Sequence, residues 1–277
     1  MKKWTAMLLS LIMAWAGMAG VASACTIFNA AGNGMILAGN NEDHDDPNAE
    51  VRFAPASEGK FGTITFAFGP FTQGGMNDQG LFYDFFAAES FKASPLIPGQ
   101  ILPSGEKPDK APSLEELLAI YTQYDLSSKK MLETCATVEE AASFYEQYYE
   151  GTLGYGYLMV ADKTGASATI TWDWDKNEMR VARKSGSFQV VGIGSKYIYP
   201  RLNEGNHEVS ADYFKELLKE TSIDITAYSN VYDLQQGIIY VYSQGDFDAV
   251  KVFDLKQELS KGSHAFYLKD LFAGLQQ

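Results

Sequence analysis

The chain has two cysteines, Cys25 and Cys135, and three histidines, His44, His207 and His264. It has no HExxH pair, no GxxxxGK[ST] phosphate loop and no GxSxG nucleophile turn, so the commonest metal, phosphate and serine chemistries have no carrier. Two cysteines and scattered histidines do not have zinc-site spacing. What remains is a nucleophile that brings its own base. An N-terminal cysteine is one: its α-amine, with a pKa of about 7.7–8.0, sits close to its thiol at about 8.5. Near neutral pH the amine can take the thiol proton, directly or through water. Thiolate attack on an amide carbonyl then gives a thioester, and water releases the acid. Such a site still needs a carboxylate to orient the amine and donors to hold the oxyanion.

Residues 1–24 read as an export signal that would leave Cys25 first. Lys2 and Lys3 open it, an apolar stretch runs from Met7 to Met18, and Ala22-Ser23-Ala24 gives the small-x-small cleavage pattern. The apolar stretch is too short for a spanning helix. The mature protein is expected to be exported, periplasmic or secreted, with no membrane anchor. Two other readings of Cys25 compete. Lipidation usually wants Leu three residues upstream, where this chain has Ala22. A Cys25–Cys135 disulfide suits an oxidising compartment, and cysteine counting does not separate it from catalysis.

The carboxylate candidate lies in Gly39-Asn40-Asn41-Glu42-Asp43, just after the second strand of a hairpin that begins at Cys25. A hairpin returns the chain beside its own start. Asp43 can thus hold the α-amine, with Asn40 or Asn41 as a hydrogen-bonding partner. The same segment can equally be a polar loop. Asp43, Asp45, Asp46, Asn48 and Glu50 are also hard oxygen ligands of the kind Ca²⁺ takes, although the glycine and distant glutamate of an EF-hand are missing.

The elements that must position these residues are mostly strands. Thr26-Ile27-Phe28 and Met35-Ile36-Leu37 flank Gly32-Asn33-Gly34, a hairpin signal. Further strands are expected at 51–53, 63–68, 156–161, 168–174, 178–182, 188–193, 230–234, 237–242 and 250–253. Five prolines between 95 and 112 mark a loop. Ser113 with Glu116 and Thr137 with Glu140 have capping-box spacing. Leu114, Leu117, Leu118 and Tyr121, then Val138, Ala141, Ala142 and Tyr145, recur at helical intervals, and another helix is expected at 211–220. Strands, a helical block and strands again predict one α+β domain over residues 25–277.

Composition agrees with a folded chain: 46% hydrophobic and 21% charged residues. The net charge of −13 argues against nucleic acid as a partner.

Cys25-Thr26-Ile27-Phe28, Gly39-Asn40-Asn41-Glu42-Asp43 and Gly75-Met76-Asn77-Asp78-Gln79-Gly80-Leu81 resemble, in matching order, segments of the choloylglycine hydrolase and penicillin V acylase family. So do Leu158-Met159-Val160-Ala161-Asp162-Lys163-Thr164-Gly165 and the run from Tyr228 to Ile238. These are linear-amide C–N hydrolases of the N-terminal-nucleophile superfamily. The resemblance implies a four-layer αββα sandwich with two stacked antiparallel sheets, and a nucleophile at a strand start. It implies Cys25 as nucleophile, Asp43 as the amine-binding carboxylate, a small-molecule N-acyl amide substrate and no metal or organic cofactor. Relatives of this kind are often multimeric, so a homo-oligomer is in view.

The chain also departs from the family. The arginine of the usual Arg-Asn-x-Asp is replaced by Asn40. The Asn or Tyr expected downstream falls near Ala87, an expected asparagine near Gly194-Ser195, and a late arginine near Asp212. This weakens the case for bile salts in particular. It also leaves Asn77, Ser195 or backbone N–H groups as oxyanion donors. The stretch Phe82-Tyr83-Asp84-Phe85-Phe86, with Phe66 and Phe68 nearby in sequence, can line an apolar acyl pocket or simply pack a core. The alternative to an amidase is a secreted ligand- or Ca²⁺-binding protein of the same fold with a Cys25–Cys135 disulfide.

Overall fold

Asn33 and Gly34 adopt φ of 53° and 78°, the left-handed pair that a tight two-residue hairpin requires. They join β1 (Thr26–Gly32) to β2 (Met35–Asp43), as the sequence predicts. The computed structural model describes residues 25–46, 48–69, 71–87, 101–103, 127–150, 153, 156–173, 176, 178–184, 186–205 and 208–273. The segment read as an export signal, His207 and the helix expected over 113–121 lie outside the described residues.

The hairpin sits inside a six-stranded antiparallel sheet. Its order is β12 (Phe188–Gly192), β1, β2, β13 (Thr226–Asp233), β14 (Ile238–Ser243) and β15 (Asp246–Asp254). The second sheet has eight strands: β11 (Glu178–Lys184), β10 (Ser167–Asp173), β9 (Gly156–Asp162), β6 (Leu81–Ala87), β5 (Phe71–Asn77), β4 (Thr63–Phe68), β3 (Ala49–Ala54) and β16 (His264–Tyr267). A separate pair, β7 (Ile101–Pro103) and β8 (Tyr148–Glu150), completes the described strands.

Strand alternation sorts the apolar residues into three layers. Cys25, Ile27, Ala38, Tyr228 and Tyr232 from the six-stranded sheet meet Phe66, Phe82, Phe86 and Met159 from the eight-stranded one. Phe28, Leu37 and Val231 point the other way, against Phe214, Leu217 and Leu218. Those three belong to α4 (Ala211–Thr221), whose buried residues recur at helical spacing and whose start is capped by Ser210 accepting from the Tyr213 N–H. On the far side of the eight-stranded sheet, Leu81, Tyr83 and Val160 pack under α1 (Ser127–Thr134) and α2 (Val138–Gln147). The α2 residues Val138, Ala141, Ala142 and Tyr145 are all buried, the stripe read from the sequence. The architecture is therefore α+β, with helices outside two stacked antiparallel sheets.

Three short helices, α3 (Ser195–Asn203), α5 (Leu255–Leu259) and α6 (Leu268–Phe272), were not expected. Each is too short to show a clear helical period, and α3 contains Pro200.

Neither cysteine is in a disulfide. Cys25 belongs to the layer between the sheets and Cys135 to the layer under α1 and α2. The eight-stranded sheet separates them, so the Cys25–Cys135 bridge considered from the sequence does not form. Nor do the acidic residues after β2 gather as a Ca²⁺ loop. Asp43 accepts from Thr226, Asp46 from Asn48, and Glu50 pairs with Arg52. Among the described residues, no group of three His, Cys, Asp or Glu is placed to hold a metal ion.

Candidate active site

Cys25 stands at the head of β1 with neighbouring strands on both sides, and only 5% of its surface is exposed. On the β12 side, Gly192 reaches it in a conformation with φ of 90°, and a Cβ there would lie 1.8 Å from the Cys25 carbonyl oxygen. Only glycine fits both the angle and the approach. Next to it, the Gly194 N–H donates to Thr26 Oγ1 at 2.9 Å. Ser195 begins α3 immediately after, half-buried near the start of β1.

On the β2 side, Thr26 pairs with Asn41, which sets Cys25 against Glu42. The Glu42 carboxyl and the Asp43 backbone N–H both lie close enough to the Cys25 sulfur to act on its ionisation. Asp43 Oδ1 accepts from Thr226 Oγ1 at 2.6 Å, while its Oδ2 has no hydrogen-bond partner. A β-bulge between Thr226 and Tyr228 makes this arrangement possible. Thr226 pairs with Asp43 and Tyr228 with Glu42, so one extra residue, Ala227, lets successive partners serve opposite faces.

The remaining residues proposed from the sequence divide between the two faces. Asn40 lies on the inner face, fully buried, paired across strands with Ile27 and Asn230, and neither of its amide atoms has a partner. Asn41 is on the opposite face. It donates to Leu218 O and Thr221 Oγ1 and accepts from Ser229 Oγ, so it ties α4 to the sheet rather than assisting Cys25. Asn77 is likewise committed elsewhere: it donates to Leu132 O and Cys135 O and accepts from the Gln79 and Leu81 N–H groups. That closes the β5–β6 turn onto α1 and removes Asn77 as an oxyanion donor. Phe82 faces inward and packs at 4.9 Å on Tyr232. Tyr83 faces the helical layer, because alternate residues of a strand point to opposite sides.

Glu42, Asp84, Tyr228 and Asn230 complete the inner-face cluster; the sequence shows them only within longer segments and gives none of them a catalytic role. Asp84 enters from β6, 1% exposed, with neither oxygen hydrogen-bonded. Opposite it is Gly74, where a Cβ would come within 2.2 Å of Asp84 Oδ2. Glycine thus keeps the space that the carboxyl occupies. Phe66, the next residue in that row, stacks at 5.2 Å on Tyr228.

Burial dominates the electrostatics. It pushes the Cys25 thiol well above its ordinary value, and Glu42, Asp43 and Asp84 push it further. Burial and then Asp43 raise Glu42 to about 8. Burial raises Asp43 to about 6, against the lowering effect of the Thr226 hydrogen bond. Asp84 is raised well above the carboxylate range by burial and by Glu42. A thiol in this setting does not ionise unaided near pH 7 and needs an adjacent base or a cation.

Solved structures of similar architecture bear on this site. A variant of conjugated bile acid hydrolase from Clostridium perfringens aligns at 14% identity and a TM-score of 0.54, over 88% of this chain and 97% of that one. Penicillin V acylase from Agrobacterium tumefaciens aligns at 16% identity and a TM-score of 0.50, over 86% and 88%. The Caenorhabditis elegans ortholog of N-acylethanolamine-hydrolyzing acid amidase aligns at 15% identity and a TM-score of 0.52, over 76% and 93%. No family profile matches the chain and no curated protein matches it in sequence. The chain therefore has the αββα fold that the motif resemblance implies, and at these identities the likeness shows the fold alone.

Proposed function

We propose that the mature protein is an exported cysteine amidase that hydrolyses a linear N-acyl amide. The observation that carries this reading is the placement of Cys25: a buried thiol immediately before β1, with the Asp43 N–H beside it and an Asp43 carboxyl that Thr226 holds. Support comes from the amide-hydrolase names of the solved structures that share the fold.

Cleavage after Ala24 frees the Cys25 α-amine, and Asp43 orients it. The amine takes the thiol proton, and the sulfur attacks the amide carbon. The tetrahedral intermediate collapses with loss of the C–N bond, and the proton on the amine passes to the leaving nitrogen. Water then adds to the thioester, giving its proton to the amine, and the acid leaves as the thiol is restored. The α-ammonium formed on the way offsets the carboxyl charges that oppose a thiolate. Backbone N–H groups and the half-buried Ser195 remain as oxyanion donors.

Intact-mass analysis and activity assays test the reading together. The mature chain is expected to begin at Cys25, and Cys25→Ala is expected to fold and be inert. A chain retaining one residue before Cys25 is expected to lose turnover of N-acyl amides. Full activity in that extended chain would remove the α-amine from the mechanism.

A further inference from the structure

The inner faces of the two sheets are unbalanced in charge. Glu42, Asp43 and Asp84 all act on Cys25, yet no Lys, Arg or His is fully buried among the described residues. Glu42 is faced by Cys25 from β1, Tyr228 and Tyr232 from β13, and Asp84 from β6, with Asp43 next to it on its own strand. His44 stacks on Phe68 near Tyr228, and burial lowers its pKa, so it is neutral near pH 7.

Hydrogen-bonding capacity is unbalanced in the same direction. Both Asp84 oxygens, Glu42 Oε2 and the amide oxygens of Asn40 and Asn230 lack partners. Asn230 donates its Nδ2 to Tyr232, so its free atom is an acceptor. Among the described residues the unused donors on this face are Asn29 Nδ2, Asn40 Nδ2 and Tyr228 OH, and none of them carries a charge. Asn40 and Asn230 are cross-strand partners, two residues along from Glu42 and Tyr228 on the same face, a step of about 7 Å. An unmet buried acceptor is costly, and these acceptors lie along one inner face between Asn230 and Asp84. A group rich in N–H donors and positively charged meets both deficits.

Under the reading above, the freed Cys25 ammonium is held by Asp43, which leaves Glu42 and Asp84 without a cation. We infer that Glu42 and Asp84, with the carbonyls of Asn40 and Asn230, form a subsite for a primary ammonium group of the substrate, carried within a few bonds of the scissile carbonyl. The ammonium belongs either to the acyl part, as in an α-aminoacyl amide, or to the leaving amine, as in an N-acyl diamine. This inference rests on Cys25 as nucleophile and adds a substrate class to that reading. It also has a proton signature. Both carboxyls hold their protons near neutral pH because they are buried; a bound ammonium favours their ionised forms. Binding therefore releases protons from the carboxyls and tightens with rising pH until the ligand's own ammonium is lost, at about 7.7–8.0 for an α-amine.

The test reads binding on the mature Cys25→Ala protein, so it does not depend on turnover. Leucinamide and an N-acyl ethylenediamine are titrated calorimetrically at pH 6.5, where both are ammonium ions, in two buffers of different ionisation enthalpy. N-acetyl-leucinamide and the matching N-acyl ethanolamine are the uncharged controls, and N-acyl glycine is the anionic one. One ammonium ligand is expected to bind at least tenfold more tightly than its control, with proton release, and which one it is assigns the acyl or leaving side. Asp84→Asn, Glu42→Gln and Gly74→Ala, the last crowding the Asp84 carboxyl, are each expected to erase that preference. Equal binding of charged and uncharged ligands in the unaltered subsite overturns the inference, a result that needs no further variant to fold. A matching thermal shift from Ca²⁺ alone also overturns it, in favour of a metal. Wild-type turnover of uncharged amides with no ammonium preference rejects the subsite and leaves the amidase standing. Ammonium binding without any amide turnover does the reverse.

Discussion

Thr226 Oγ1 donates to Asp43 Oδ1 across 2.6 Å, between residues 183 positions apart in the chain. The contact exists because the bulge after Thr226 turns that side chain toward Asp43 while Tyr228 faces Glu42. Thr226 is also the group that holds down the Asp43 pKa against burial. Asp43 must be ionised to orient the amine, so its titration adds an acid limb to the proposed activity below that of the α-amine itself, at about 7.7–8.0.

With Asp43 at about 6, kcat/KM is expected to fall as pH drops through that value. Thr226→Val removes a hydrogen bond to a charged group, worth about 1.5–3 kcal/mol. The acid limb should move to higher pH and kcat/KM at pH 6 should drop by about tenfold or more. An unchanged limb would show that Asp43 is not the group being titrated.

Gly192→Ala is expected to damage both stability and activity. Its φ of 90° and the 1.8 Å approach to the Cys25 carbonyl leave no room for a side chain, and the obstacle is backbone rather than a flexible side chain. A loss of about 1–3 kcal/mol in urea unfolding, with a larger fall in kcat than in KM, would mark displacement of Cys25. Wild-type behaviour would mean that the β12 edge does not position the nucleophile.

Asn77 tests the division between support and chemistry. Its side chain makes four hydrogen bonds that close the β5–β6 turn onto α1. Asn77→Ala should lower stability by several kcal/mol, at about 1 kcal/mol or more per buried bond lost. Activity per titratable Cys25 thiol should be unchanged at temperatures where the variant is folded. A selective loss of kcat would return Asn77 to the reacting centre.

Stability should also depend on pH through Glu42. Its folded pKa of about 8 lies above the ordinary 4.5, so the folded state binds the extra proton. The stabilisation from that proton is complete below about 4.5 and is lost as pH rises through about 8. In the full chain, Glu42→Gln should flatten the fall in melting temperature between pH 5 and pH 9. An identical slope in the variant would show that Glu42 ionises freely when folded.

What could be read beforehand follows the physics of each signal. The Asn33-Gly34 turn, the α2 stripe and the capped start of α4 are local patterns, and each is found where the residues placed it. The nearness of Cys25 and Asp43 was also legible, because one hairpin is enough to bring them together. Asn41 and Tyr83 were misplaced by one residue of strand alternation, which decides the face but depends on register. Asp84 shows itself in hindsight as a carboxylate in phase with Phe82 and Phe86 on an inward strand face. Its nearness to Glu42 depends on how two sheets stack, and no stretch of chain joining β2 to β6 encodes that locally. The bulge at Thr226 is equally silent in the sequence.

That single inserted residue has an engineering consequence. Because Ala227 decouples what lies on either side of it, the ligand-facing wall around Tyr228 and Asn230 can be varied while the Thr226 clasp on Asp43 stays intact. Libraries randomised on one side of the kink should change selectivity with little loss of turnover, whereas libraries on the other side should mostly yield inactive clones.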